Sequence, residues 1–154
     1  MQEDDSNVAC VASWLEHAAD GLSGEELVQL FDLALAALWK RSYRPLGDVT
    51  VAAIVDRVVH DATERFPILL GLEVEASQVS SVDLRRRAAE MGAAQRSAFR
   101  EGIHFVLVEY LTVLGNLTAD IFTPALREVL TGVALETTRD ASAKAKRTPR
   151  RRSK

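Results

Sequence analysis

A chain of 154 residues, 47% hydrophobic and 27% charged, suits one soluble globular domain that buries about two-thirds of the surface its unfolded form exposes. Aromatics make up only 6%, while Ala, Leu and Val abound, which favours helices packed on helices. The acidic start MQEDDSN does not fit a secretory signal and the single Cys10 has no intramolecular partner, so disulfide scaffolds are excluded and a reducing cytoplasm is the expected location.

The net charge of −3 conceals two segregated signs. Residues 139–154, RDASAKAKRTPRRRSK, hold eight Lys or Arg and one Asp, a balance of +7; the other 138 residues hold 11 basic and 21 acidic side chains, a balance of −10.

In chain order, residues 1–7 are polar and acidic, an expected frayed end. From Val8 the apolar positions Val8, Val11, Ala12, Leu15, Ala18, Ala19 and Leu22 follow the spacing of one helix face, with a stop near Asp20–Gly21. Leu22-Ser23-Gly24-Glu25-Glu26-Leu27 then forms a capping box between Ser23 and Glu26 inside a hydrophobic staple of Leu22 and Leu27. The helix it starts buries Leu27, Leu30, Phe31, Ala34, Leu35 and Leu38 and runs to about Ser42, where Arg44-Pro45 ends it. A third helix opens at Gly47-Asp48 with Asp48 as its cap, buries Val51, Ile54, Val55, Val58, Ala62 and Phe66, and closes at Pro67. Residues 72–76 alternate like a strand, which reads as an extended connector or as a strand that pairs only in an oligomer.

Ser80 and Ser81 mark another helix start, and no proline interrupts the chain until Pro124. Two helices in line, or one long bent helix, should fill residues 82–121, with the break near Gly102 because glycine costs about 1 kcal/mol in a helix interior. Thr123-Pro124 supplies an N-cap and a first-turn proline for a last helix that buries Leu126, Val129, Leu130, Val133 and Ala134 and ends near Thr137.

The most apolar stretch is GIHFVLVEYLTVLGNL, residues 102–117. It falls short of the roughly 20 residues that span a bilayer, and its central Glu109 would add about 2.5–3.5 kcal/mol to insertion. Wound as a helix, it places Gln95, Gly102, Glu109, Thr112, Asn116 and Asp120 on one narrow polar stripe. A helix apolar around the rest of its circumference belongs at the centre of a bundle. The stripe then reads as a seam facing solvent or a dimer partner. The alternative, and the less expected of the two, is a buried network or ligand pocket of Glu109, Thr112 and Asn116, with Arg57, Arg65 or Arg127 as the partner of Glu109.

Catalytic signatures are sparse. One Glu-x-x-His pair, Glu101 to His104, is too little for a two-metal bundle. Asp56, His60 and Glu64 lie one turn apart but away from the core face, so solvated neighbours are the simpler reading. Cys10 and His17 share a helix without a recognisable activating group, and Trp14, Trp39 and Tyr43 read as packing anchors. No cofactor, no metal and no enzymatic activity is expected. The tail residues Lys144, Lys146, Arg147, Arg150, Arg151, Arg152 and Lys154 lie in a low-complexity, apolar-free segment expected to be disordered. They could contact nucleic acid non-specifically, or an acidic partner, but no aromatics are present there to stack on bases.

Ala88, Gly92 and Arg96 in an A-x-x-x-G-x-x-x-R segment, followed by Gly102 before an apolar helix with Glu109-Tyr110, resemble the helical N-terminal sensor domains of RsbR-type stressosome regulators. The likeness covers residues 88–114. It implies a non-haem globin-like helical bundle that dimerises and passes signals to an output domain; no site residue is carried over.

The sequence therefore predicts one all-α bundle of five or six helices over residues 1–138, with a long central helix and a disordered basic tail over 139–154. The expected role is that of a non-catalytic regulatory or protein-interaction domain, forming a homodimer or binding a protein partner and lacking a membrane anchor.

Overall fold

A computed structural model describes residues 2–74 and 79–134, the side chains of residues 2–5 excepted. The described chain is an all-α bundle of six helices: α1 (Gln2–Ala18), α2 (Gly24–Leu46), α3 (Asp48–Arg65), α4 (Val82–Ala88), α5 (Ala93–Leu117) and α6 (Thr123–Thr131). A 3-10 turn at Pro67–Leu69 and two short strands, β1 (Glu73–Val74) and β2 (Val79–Ser80), connect α3 to α4. The expected tail at 139–154 lies outside the described residues, as does the boundary at 138.

The 25-residue α5 is the axis around which the others pack. Ile103, Val106, Leu107, Tyr110, Leu111 and Leu114 are buried on it against α1, α2 and α3. Phe31 of α2 meets Phe99 of α5 edge to face, with ring centroids 5.9 Å apart, an arrangement that suits the ring quadrupoles. Phe66, at the end of α3, lies 5.8 Å from Phe105. α6 closes the bundle against α1 and α2, where Trp14 Nε1 donates to the Val133 carbonyl at 2.9 Å and Arg41 stacks over Phe122. Among the described residues no helix is long and apolar enough to cross a membrane.

The capping box forms as expected: the Ser23 amide donates to Glu26 Oε1 and the Glu26 amide donates to Ser23 Oγ. The expected buried face of α2 is buried, as are Val51, Ile54, Val55, Val58 and Ala62 of α3.

The boundaries differ in instructive ways. α1 begins at Gln2, so residues 2–7 are not frayed; Asn7 is 1% exposed and holds side chains on two other helices. Val8, expected in the core, is exposed, while Trp14 is buried. α2 continues through Pro45 to Leu46. A proline this close to a C-terminus removes only one helical hydrogen bond, and the turn is completed by the Gly47 amide on the Tyr43 carbonyl. Gly47 has φ +85°, a region open to glycine at little cost, and stands between α2 and α3 as the boundary expected of Asp48. The Asp48 carboxylate instead accepts from Trp39 Nε1 at 3.1 Å. Tyr43 is half-exposed and does not anchor packing.

The strand over 73–74 pairs within the chain, Glu73 with Ser80 and Val74 with Val79, so no oligomer is needed to satisfy it. Residues 75–78 lie outside the described set. Ser81 does not cap α4; its hydroxyl donates to the Asp32 carboxylate, which also receives Arg85 Nη2 at 2.6 Å. The break between α4 and α5 falls at residues 89–92, not at Gly102, because the Gly92 amide finds the Gln95 side chain and seeds α5 there. Gly102 sits inside α5, where a Cβ would approach Leu69 Cδ1 to 3.0 Å. Its lack of a side chain serves close approach of the 3-10 turn, not a kink. α6 starts one residue early, with Thr123 bonded to Asp120, and ends at Thr131, six residues before the expected Thr137.

Candidate functional site

Two surface regions are built on α5, and the residue periodicity decides which side chains reach each. Residues 101, 105, 108, 109, 112 and 116 recur at the three- and four-residue spacing of one face. They lie between α1, which reaches α5 through Asn7–Thr112 and Val8–His104 contacts, and the end of α3, which reaches it through Phe66 and Phe105. No helix covers this strip fully: Phe105, Val108, Glu109, Thr112 and Val113 are half-buried and Asn116 is exposed. Arg65 lies over the Phe105 ring, 5.0 Å from its centroid, a cation–π contact. At the far end Leu117 is 60% and Ile121 83% exposed.

The sequence grouped Glu109, Thr112 and Asn116. They share the strip, but only Thr112 joins a network. Asn7 Nδ2 donates to Thr112 Oγ1 at 3.3 Å, and Arg127 Nε donates to Asn7 Oδ1 at 3.0 Å. This bridge ties α1, α5 and α6 together. Glu109 accepts no hydrogen bond and forms no ion pair among the described residues, because Arg127 is turned to Asn7, Arg65 to Phe105, and Arg57 points outward. Asn7 escaped sequence reasoning because it lies in the segment taken as frayed. Its place on the row Asn7, Val11, Leu15 was the available signal.

The second surface is a groove of about 600 Å³ between α1 and the first three turns of α5. Its floor is apolar, with Leu15, Ala19, Leu22 and Leu27, and α5 contributes Arg96, Ser97, Arg100 and His104. Ser97 and Arg100 had no role in the sequence reading, where Arg96 figured only in the family resemblance and His104 only in the Glu-x-x-His pair, although Ser97, Arg100 and His104 share one face. Arg96 Nη1 is held by the Met91 carbonyl at 3.2 Å, and His104 Nε2 lies 3.3 Å from the Val8 carbonyl.

The remaining candidates are dispersed. His60 and Glu64 touch at 3.4 Å with both side chains more than two-thirds exposed, and no group of three metal-ligating side chains occurs among the described residues. Cys10 and His17 line a shallow pocket with Trp14, Thr131 and Val133. Burial pushes the Cys10 thiol up despite the opposing field of Arg127, which favours the thiol over the nucleophilic thiolate. Lys144, Lys146, Arg147, Arg150, Arg151, Arg152 and Lys154 lie outside the described residues. No protein-family model, curated protein or solved structure matches the chain.

Proposed function

We propose that this chain is a non-catalytic helical interaction module that associates with a second copy of itself through the uncovered strip of α5. The observation that carries the reading is the strip's composition. A central helix normally hides its apolar residues, yet Phe105 and Val108 stay partly exposed on one face of α5, with Val113 partly exposed on its flank. Apolar surface left uncovered on a central helix suits a protein contact site.

Charge complementarity favours a second copy as the occupant. A two-fold contact buries the same patch on both partners and so requires that patch to complement itself. Arg65 stands at the level of Phe105, and Glu109 follows one helical turn later without a partner among the described residues. Two α5 helices crossing antiparallel about an axis near Val108 would bring Arg65 of each copy toward Glu109 of the other. The resemblance of residues 88–114 to dimerising sensor domains points the same way.

Sedimentation equilibrium at micromolar concentration should give twice the 16.9 kDa chain mass, and Val108→Asp should return the monomer while retaining the helical spectrum. A wild-type chain monomeric at several hundred micromolar would end this reading.

A second reading rests on the segregation of charge. The +7 of residues 139–154 against −10 elsewhere suits non-specific, salt-sensitive contact with nucleic acid. DNA binding that survives deletion of 139–154 would remove it.

A further inference from the structure

We infer that the groove between α1 and α5 binds a small anionic amphiphile, with its head on Arg100 and Ser97 and its apolar body along Leu15, Ala19, Leu22 and Leu27. The volume of about 600 Å³ falls within the range of roughly 300–1,000 Å³ typical of small-molecule sites, and the lining is divided about evenly between polar and apolar surface, as a ligand with a charged head and an apolar body requires.

The sign of the head follows from burial. Both acids on the groove, Glu16 and Glu101, are exposed, whereas Arg96, Arg100 and His104 are half-buried. Partly buried charges are screened by water and salt less than exposed ones, so the cations outweigh the acids in the field inside the groove. Among these, Arg96 is engaged by the Met91 carbonyl and His104 lies against the Val8 carbonyl. Arg100 has no hydrogen bond or ion pair among the described residues. Its planar fork suits a carboxylate or phosphate, and the Ser97 hydroxyl stands on the same face of α5 one turn away. The groove runs along the first three turns of α5 and shares only Glu101 with the strip around Val108, so Arg100→Gln and Val108→Asp test ligand binding and self-association separately.

The test is calorimetric titration of the full chain with octanoate, decanoate, decyl phosphate and decyltrimethylammonium, each below its micelle concentration. Decanoate or decyl phosphate should bind one site at least ~10-fold more tightly than the cation, the tighter of the two naming the head group. Octanoate should be weaker than decanoate by roughly two- to fourfold for each methylene removed. Arg100→Gln should weaken decanoate about 10- to 100-fold, as expected for loss of a charge-assisted hydrogen bond, and Glu101→Gln should not weaken it. Equal binding of the cation, no saturable binding of either anion, or unchanged decanoate affinity in a folded Arg100→Gln chain would each overturn the assignment. If Arg100→Gln fails to fold, the head-group preference of the wild type decides alone.

Discussion

Tyr110 and Ser42 form the one buried side-chain hydrogen bond that ties the hydroxyl of a central-helix tyrosine to α2, and their roles are unequal. The Tyr110 hydroxyl donates to Ser42 Oγ at 2.7 Å, and Ser42 Oγ donates onward to the Leu38 carbonyl at 2.8 Å. Tyr110→Phe removes the first bond but leaves Ser42 satisfied through Leu38, so the cost is that of one net hydrogen bond, about 0.5–1.5 kcal/mol. Ser42→Ala removes the acceptor, and the Tyr110 hydroxyl is left with the Leu38 carbonyl at 3.4 Å. A buried donor without a good partner costs about 1–3 kcal/mol, partly offset by the roughly 0.5 kcal/mol better helix propensity of alanine. Urea unfolding should rank Ser42→Ala as the more destabilised by about 0.5 kcal/mol, and the double variant should be less destabilised than the two losses added together. The same burial raises the Tyr110 phenol to about 12 from its ordinary 10.0, against a smaller lowering by Ser42. The folded state thus holds the proton more tightly than the unfolded chain. Stability is complete below pH 10 and falls by roughly 2–3 kcal/mol as pH rises through 12, a loss that Tyr110→Phe should abolish. Additive single losses, with Tyr110→Phe the costlier, would refute this reasoning.

Other substitutions probe the joints of the bundle. Asn7→Ala should cost about 1–3 kcal/mol in urea unfolding, because it removes both the Thr112 and the Arg127 bonds at a site 1% exposed. Ala119 has φ +53°, a left-handed conformation that costs a side-chain-bearing residue about 1–2 kcal/mol; Ala119→Gly should therefore raise the melting temperature. Gly102→Ala gains about 1 kcal/mol of helix propensity but presses a methyl to 3.0 Å from the fully buried Leu69, and overpacking costs about 1–3 kcal/mol. A net loss near 1 kcal/mol is expected, and a gain would show that the 3-10 turn can yield.

Those joints also show where sequence reasoning ran out. The helices and their buried faces were legible because apolar spacing and the Ser23–Glu26 box are local signals carried within a turn or two of chain. Decisions that depended on distant partners were not. Gly102 reads as a helix breaker until Leu69, 33 positions earlier, is seen pressing on it. Asp48 reads as a cap until Trp39 claims its carboxylate, and Asn7 reads as frayed until Thr112 and Arg127 reach it. The same limit applies to the site. Thr112 and Glu109 share a polar stripe by periodicity alone, but which arginine faces which acid depends on how α1, α3 and α6 are set around α5, and no spacing within α5 encodes that.

The contact about Val108 is tested most directly by a cysteine placed on the two-fold axis. Disulfide formation requires Cα atoms about 4.4–6.8 Å apart, a distance that two copies of one residue meet only close to such an axis. In a Cys10→Ser background, Val108→Cys should form a covalent dimer rapidly on mild oxidation, while a cysteine at the exposed Leu33 of α2 should not. Covalent dimer forming through Leu33 and not through Val108 would contradict the account.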